Sequence, residues 1–231
     1  IGACDDDLDI IGKKNPTDQI KYPISLDVIA DLVNESWNIK GYKPWFICDE
    51  KIFSWYCRNH KEMMVKTLNT KINMNYTYTH NCFNLPEVVE LKYLLGQFNC
   101  LNLIKILVEE GLSDKIFKNN CESLLISAVY YNRLEILSFL NNENNLAFTS
   151  FLYDLAAVSN NLELVTFFDS IKVQPTRKAL DWSSYYGYKQ VVEFLCANQK
   201  LNSNLADAIT YAKMQGFFDI VNTITKAQLG Y

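Results

Sequence analysis

Both histidines of the chain lie beside cysteines, in Cys57-Arg-Asn-His60 and in His80-Asn-Cys82, with Cys48 nearby. Zinc would accept two thiolates and two imidazoles, which Cys57, His60, His80 and Cys82 could supply. Alternatively, a Cys57 or Cys82 thiolate activated by His80 could act as a nucleophile. The short His-x-Cys arm matches no strong zinc-ligand spacing, and no third group that would orient the histidine is identifiable. We therefore expect no metal and no cofactor, and we keep a zinc-binding or Cys-dependent enzyme as an alternative.

Other patterns that indicate catalysis are absent from the sequence. It contains no Gly-rich phosphate loop, no nucleophile elbow and no helix with paired metal ligands. Carboxylates cluster at 5–7 and at Glu109-Glu110, but the first group lies near the N-terminus and the second precedes Gly111 at a predicted helix end. We interpret both clusters as solvated charge and predict that the protein is not an enzyme.

Composition narrows the class of partner. Of the 231 residues, 49% are apolar and 21% are charged, which is typical of a soluble globular protein. The net charge of -4, with both signs well mixed, provides no basic field for phosphates, so we expect no nucleic-acid partner. No apolar stretch approaches the roughly 20 residues of a membrane span. Seven cysteines without disulfide-scaffold spacing favour a reducing, cytoplasmic compartment.

The N-terminal residues carry no targeting signal that we can identify. The chain starts at Ile1 instead of Met, and the segment CDDDLD is acidic where a signal or transit peptide would be basic. We therefore expect Ile1 to follow a cut in a longer chain.

Six stretches of the chain share one pattern, and similarity at a near-fixed period indicates a repeat architecture. They are WYCRNHKEMMVKTL at 55–68, LGQFNCLNLIKIL at 95–107, AVYYNRLEILSFL at 128–140, AAVSNNLELVTFF at 156–168, SSYYGYKQVVEFL at 183–195 and AKMQGFFDIVNTI at 212–224. Counted at Lys61, Leu101, Leu134, Leu162, Lys189 and Phe218, their spacings are 40, 33, 28, 27 and 29. A TPR array would instead keep a period of about 34 residues and its own Trp, Gly, Tyr and Pro pattern.

Each copy carries Asn or Gly at one position, where the chain must turn between two helices. These residue types adopt a positive φ most readily at a helix C-terminus. Small residues precede the turn, and apolar residues follow it with the spacing of one helix face. We therefore predict a unit made of a helix, a tight turn and a longer helix. The turn residues are Asn59, Asn99, Asn132, Asn160, Gly187 and Gly216, with helix breaks expected above all at the last four.

The pattern small-small-x-x-(Gly/Asn)-x-x-(Glu/Gln/Asp)-(Val/Ile/Leu)-(Val/Leu/Ile) resembles the ankyrin repeat over residues 55–224. His60 occupies the position of the ankyrin His that follows the turn Gly. The Thr-Pro-Leu-His opening is absent, and Asp154 and Asp181 stand where its His would be. The last three spacings fall short of the usual ankyrin period of about 33 residues, so we expect the β-hairpins to be shortened to plain turns.

The resemblance implies an all-α, ankyrin-like solenoid of about five to six helix-turn-helix units over residues 51–231. Residues 1–50 would form an N-terminal extension with a capping helix, ISLDVIADLVNESW. A faint F-box-like pattern at 24–33 leaves an alternative, a ubiquitin-ligase substrate adaptor. The polar and aromatic segment INMNYTYTHNCFN, at 72–84, is predicted to be an extended loop that accounts for the longest spacing.

The resemblance also implies a function, which is noncatalytic binding of another protein through the concave groove of the array. The chain is similar to the Asn-rich ankyrin arrays of amoebae and large DNA viruses. If the protein is viral, the resemblance implies that it acts in the host cytoplasm, as a monomer or in a larger assembly. The residues just before each turn are expected to face the groove, with Tyr130 more exposed than Tyr131 and Tyr185 more exposed than Tyr186. Trp182 and Tyr188 are expected to pack in the core. The predicted partner-binding residues are Phe98, Tyr130, Tyr131, Val158, Tyr185, Tyr186 and Met214.

Overall fold

The computed structural model of the protein describes residues 50–69, 71–73, 88–117, 121–144, 146, 148–197 and 205–229. Within these ranges the secondary structure is almost entirely helical, as the sequence predicts. The proposed capping helix, the F-box-like segment at 24–33, and most of the polar segment after residue 73 lie outside the described residues. The chain divides into two compact units, and the division between Leu124 and Leu125 falls inside one helix.

The first unit combines helices with one short sheet. Strand β1 (Lys71–Asn73) pairs antiparallel with β2 (Val88–Glu90), so that the backbone of Ile72 lies opposite that of Val89. The prediction of an extended loop was therefore wrong at Ile72 and Asn73, whose backbone groups are satisfied by a ladder. The elements of the first unit are α1 (Glu50–Asn59), α2 (Lys61–Leu68), β1 (Lys71–Asn73), β2 (Val88–Glu90), α3 (Tyr93–Gln97), α4 (Leu101–Glu109) and α5 (Ser113–Ile116).

The second unit arranges its helices in two rows. The helices are α6 (Glu122–Tyr130), which crosses the division, α7 (Leu134–Asn144), α8 (Ser150–Val158), α9 (Leu162–Ser170), α10 (Arg177–Tyr186), α11 (Lys189–Ala197), α12 (Ala206–Met214) and α13 (Phe218–Leu229). Helix α10 packs against α8 and α12 in the first row, and α7, α9, α11 and α13 follow one another in the second row. Each first-row helix is joined to the next second-row helix by a tight turn, as the repeat pattern predicts.

The turns between paired helices use left-handed residues. At the α8–α9 turn, Asn160 N donates to Ala157 O and Asn161 N donates to Ala156 O, both at 3.1 Å, which satisfies carbonyls that the helix end leaves free. The predicted helix breaks are confirmed. Five of the six predicted turn residues have a positive φ, namely Asn99 (54°), Asn132 (55°), Asn160 (55°), Gly187 (78°) and Gly216 (79°).

The sixth turn differs from the prediction. Asn59 is the last helical residue of α1, and its side-chain Nδ2 donates to the carbonyl of Trp55 at 2.9 Å. The break between α1 and α2 lies instead at His60, which has φ -136°. The turn between α1 and α2 therefore uses no left-handed residue.

Small residues allow the first-row helices to approach closely. Ala156, Ala157, Ser183 and Ser184 are all fully buried. Ser183 Oγ donates to the carbonyl of Ala179 at 2.6 Å and also lies 3.2 Å from the carbonyl of Ala157 on α8. A larger side chain at this position would separate α8 from α10, so the small residues of the repeat pattern set the distance between neighbouring units.

A buried lysine ties together three segments of the first unit. The Lys92 ammonium is fully buried and lies 2.8 Å from Glu90 Oε2. It also donates to Asn69 Oδ1 at 2.8 Å and to the carbonyl of Ile116 at 3.0 Å. The buried ammonium thus has one counter-charge and two hydrogen-bond acceptors, which lower the energetic cost of burying it.

Replacing Lys92 by Met should lower the free energy of unfolding by about 3–5 kcal/mol, because it leaves the Glu90 carboxylate buried without its counter-charge. The double variant Lys92→Met/Glu90→Gln should recover part of this loss, because no charge then remains. Urea unfolding of both variants measures the difference. A Lys92→Met loss below about 1 kcal/mol would contradict the assigned role.

The turn glycines offer a second test, because only one of them is covered. A Cβ on Gly187 would lie 2.7 Å from Phe217 Cζ, whereas a Cβ on Gly216 would meet nothing within 4 Å. Gly216→Ala should cost about 1 kcal/mol through its positive φ alone. Gly187→Ala should cost a further 1–3 kcal/mol or so, since the Phe217 ring must move.

The control is the same change in a chain that lacks the ring. On a Phe217→Ala background, Gly187→Ala should cost about as much as Gly216→Ala when both are measured by urea unfolding. Equal losses for the two glycine variants in the otherwise unchanged chain would show that the Phe217 ring does not constrain Gly187.

Candidate functional site

Five aromatic rings form one cluster in the second unit, which we call the aromatic cluster. Trp182, Tyr185 and Tyr186 have the i, i+3, i+4 spacing of one helix face on α10. Tyr188 follows the Gly187 turn, and Tyr211 lies on α12. The cluster therefore bridges two neighbouring first-row helices.

The rings are held in defined contacts. Trp182 stacks on Tyr211 with centroids 5.9 Å apart and an interplanar angle of 9°. Tyr185 meets Trp182 edge-on at 5.6 Å and Tyr186 edge-on at 5.1 Å. Tyr186 in turn stacks on Tyr188 at 5.6 Å. Such pairs stabilise one another by about 0.5–1.5 kcal/mol beyond their buried area, so the orientations are fixed before any ligand arrives.

All five rings are half-buried. The sequence predicted that Trp182 and Tyr188 would pack in the core, and that Tyr185 and Tyr186 would be contact residues with Tyr185 the more exposed. The structure does not separate them, because each ring packs one face on its neighbours and leaves part of its surface accessible. The cluster can thus serve as a rigid apolar platform whose hydroxyl and indole groups form hydrogen bonds.

The other predicted contact residues have different surroundings. Tyr130 and Tyr131 are both half-buried and meet edge-on at 5.1 Å, which repeats the geometry of Tyr185 and Tyr186. Met214 is 70% exposed at the end of α12.

Two predicted contact residues lie outside the accessible part of this site. Val158 is fully buried, so its prediction as a groove contact was wrong; this small apolar side chain belongs to the core. Phe98 is half-buried in the first unit.

The sequence reasoning missed Tyr211. It lies five residues before Gly216, as Trp182 lies five residues before Gly187, so the repeat register contained the signal. Equivalent positions on stacked helices are neighbours, and two aromatic residues at that position produce the stacked pair. The register therefore predicts which rings meet, although it does not predict how much of each ring stays exposed.

Ion pairs join the helix pair α10–α11 to the helix pair α12–α13 near the starts of their helices. Arg177 on α10 contacts Asp207 on α12 and lies 3.5 Å from Asp181 Oδ2. Burial raises the pKa of Asp181, while the neighbouring Arg177 lowers it and the nearby Asp207 raises it. Lys189 Nζ lies 3.2 Å from Asp219 Oδ2. Solvent screens the exposed Arg177–Asp207 and Lys189–Asp219 pairs, so these two pairs orient the helices more than they stabilise them.

Asp154, one of the two acidic residues at the ankyrin His position, links α8 to the start of α10. Its buried carboxylate accepts hydrogen bonds from Thr176 N at 2.8 Å and from Thr176 Oγ1 at 2.5 Å. Thr176 Oγ1 in turn accepts from Lys178 N at 3.2 Å and caps α10. Burial raises the pKa of Asp154 from 3.8 to about 6, and the hydrogen bonds from Thr176 offset part of that increase.

The raised pKa of Asp154 predicts a pH-dependent stability. Because the folded-state pKa exceeds the unfolded one, folding favours the protonated form; this stabilisation is complete below about pH 4 and is lost as the pH rises through 6. Its full size is about 3 kcal/mol at 1.36 kcal/mol per pKa unit. The free energy of unfolding should therefore fall between about pH 4 and pH 7, as measured by urea titrations.

Asp154→Asn provides the control, because an amide does not titrate in this range. The difference between the two chains isolates Asp154, since Asp181 contributes to both. Parallel stability-against-pH curves for the two chains would contradict the assignment.

The Cys-His pairs are only partly described. The Cys57 thiol is fully buried, and burial, together with the nearby Glu110 carboxylate, raises its pKa to about 12 despite the opposing effect of Lys61. A thiol with this pKa is protonated at neutral pH, which does not suit a nucleophile. His60 packs against the Trp55 ring at 5.1 Å, whereas His80 and Cys82 lie outside the described residues.

Within the part of the chain that the structure describes, no three His, Cys, Asp or Glu side chains come together in a way that could hold a metal ion. No helix among the described residues is long and apolar enough to cross a bilayer.

No protein-family model, curated protein or solved structure matches the chain.

Proposed function

We propose that the protein is a noncatalytic interaction module of ankyrin-like architecture, which binds a partner protein at the ends of its first-row helices. The aromatic cluster carries this proposal. It joins α10 and α12, all five of its rings are partly accessible, and the exposed Met214 ends α12 beside it in sequence. The ankyrin-like architecture is supported by the paired helices, the two rows and the left-handed turns.

The rings of the aromatic cluster are held in place before a partner binds. A tyrosine offers a large contact area and a hydrogen-bonding tip while freezing only two side-chain torsions. Here the Tyr185, Tyr186 and Trp182 rings already hold one another, so a partner loses less entropy in ordering them. The Met214 side chain can adapt to an irregular surface at the rim. Aromatic residues in such settings are the usual anchors of protein interfaces.

The partner should therefore present an apolar patch with hydrogen-bonding groups at its edge. The cluster carries no charged side chain of its own, so strong electrostatic selection is not expected at its centre. At the helix starts, Arg177 pairs with Asp207 and Lys189 pairs with Asp219. The Tyr130–Tyr131 pair offers the same geometry at α6 and would extend the contact.

Tyr185→Ala should weaken partner binding by at least about fivefold, since an interface anchor contributes roughly 1 kcal/mol or more. The chain would be used as bait in an affinity purification from its source cell, with bound proteins quantified by mass spectrometry. Tyr130→Ala tests the second tyrosine pair in the same way. The melting temperature of each variant is recorded so that lost binding is separated from lost folding.

The matched control is Glu163→Ala/Glu193→Ala, which changes exposed residues of the second-row helices α9 and α11. Proteins that depend on the aromatic cluster should stay bound to this control and be depleted with Tyr185→Ala. If no bound protein distinguishes the two variants, or if Tyr185→Ala loses its partners only because it unfolds, the proposed surface is incorrect.

A further inference from the structure

A cleft of about 450 Å³ lies between two loops of the second unit, the loop that joins α7 to α8 and the loop that joins α9 to α10. We call it the loop cleft. Ligand pockets usually measure about 300–1,000 Å³, and the loop cleft falls within this range. Its size therefore suits a small organic molecule or the end of a peptide.

Part of the lining of the loop cleft is apolar and held in place. The Phe148 ring meets Phe167 and Phe168 edge-on, with ring centroids 6.0 Å and 5.7 Å away. Phe148 nevertheless keeps part of its surface accessible, as do the other apolar lining residues. A ligand can therefore place an apolar body against an ordered wall. The other apolar lining residues are Leu146, Ile171 and Val173.

The polar part of the lining favours an anion. Lys172 and Gln174 are exposed, and among the described residues no carboxylate forms an ion pair with the Lys172 ammonium. Gln174 Nε2 lies 3.4 Å from the carbonyl oxygen of Lys172, which places the Gln174 amide beside that residue. Asn141 and Ser150 complete the polar lining. An ammonium, two amides and a hydroxyl can all donate hydrogen bonds to an anion.

The start of α8 adds to this preference. Ser150 is the first residue of α8 and lines the loop cleft. The preceding Thr149 side chain accepts no hydrogen bond from the helix, whereas the Thr176 side chain caps α10 by accepting from Lys178 N. A helix N-terminus carries a partial positive charge and N–H groups that stabilise a nearby anion. At α8, an anionic ligand can thus take the role that the Thr176 hydroxyl has at α10.

The backbone of Lys172 is unfavourable for its residue type. Lys172 has φ 64°, its N–H donates to the carbonyl of Asp169 at 3.0 Å, and Val173 N donates to the carbonyl of Phe168 at 3.0 Å. Helix α4 ends with the same hydrogen-bond pattern, but there the left-handed residue is Gly111, with φ 71°. Glycine adopts this conformation without the steric penalty that a lysine incurs. The backbone therefore does not explain the lysine, whereas an ammonium beside the loop cleft has a use.

We propose that the loop cleft binds a carboxylate that carries an apolar body. The carboxylate pairs with Lys172 and accepts hydrogen bonds from Gln174, Asn141 and the start of α8 at Ser150, while the apolar body packs on Phe148. A single lysine balances one negative charge, so a monocarboxylate fits better than a phosphate, which carries nearly two. Two sources share this chemistry, a free organic acid and the C-terminal carboxylate of a peptide that ends in an apolar residue. This site is separate from the aromatic cluster.

Titrations of the ¹⁵N-labelled chain, followed by NMR, test the proposal with two probes. The first is indole-3-propionate, and the second is the peptide acetyl-Ala-Leu-Phe with a free C-terminus; the primary amide of each is its neutral counterpart. At least one acid should bind about tenfold or more tightly than its amide, because only the acid forms charge-assisted hydrogen bonds. The backbone signals of Ser150, Lys172 and Gln174 should shift. The probe with the lower dissociation constant identifies the source of the carboxylate.

Three variants separate binding from folding. Lys172→Gly should weaken binding of the acid by about tenfold or more without lowering the melting temperature, because glycine accepts the positive φ. Lys172→Arg keeps the charge and should bind within roughly threefold of the unchanged chain. Gln174→Glu should weaken binding of the acid and leave the amide unaffected, because it adds a like charge to the cleft.

Four outcomes would overturn the proposal. They are an amide that binds as tightly as its acid, a Lys172→Gly variant that binds the acid as the unchanged chain does, signal shifts confined to residues outside the two loops, and no binding of either acid at about 10 mM, where an affinity is too weak to be specific.

Discussion

The left-handed turn that ends each first-row helix is the constraint on which the second unit depends. An ordinary side chain incurs a steric penalty at positive φ, so Asn and Gly are favoured where the chain reverses in this way. Asn132, Asn160, Gly187 and Gly216 meet that requirement at nearly equal intervals along the sequence. Because each reversal occurs at the same point of the pattern, equivalent residues of successive helix pairs become neighbours in space.

The contacts between pairs follow from that register. Fully buried Ala157 and Ser183 bring α8 and α10 close together, and Asp154 holds the start of α10 through Thr176. The aromatic cluster forms by the same rule, since Trp182 and Tyr211 are equivalent residues of adjacent units. A partly accessible aromatic surface thus arises where the repeated positions carry aromatic side chains that the stack does not fully enclose.

The sequence predicts structural features that depend on neighbouring residues. It does not predict features that depend on contacts between distant segments. The turns at Asn132 and Gly187 could be predicted because the φ preference is a property of the residue itself. Lys172 follows the end of α9 with φ 64°, and its residue type gives no such signal. The pairing of β1 with β2 joins segments on either side of residues 74–87, so no local sequence pattern predicts this pairing.

At the candidate site, too, the sequence predicts which residues lie at a helix end but not how deeply each is buried. The repeat register correctly grouped Tyr185 and Tyr186 at the end of a first-row helix, and it would have included Tyr211. It could not show that Val158 is buried at the position where Met214 is 70% exposed, because burial depends on what the neighbouring pairs place there.

Hydrogen-deuterium exchange of the chain with and without a purified partner shows whether binding uses the aromatic cluster. Exchange is followed in peptides that cover the end of α10, the turn at Gly187 and the middle of α12, with peptides of α11 as the internal reference. Binding at the aromatic cluster slows exchange over residues 182–188 and 210–214 and changes it little over 190–197. Protection confined to α9, α11 and α13, with residues 182–188 unchanged, would place the binding surface on the second row instead.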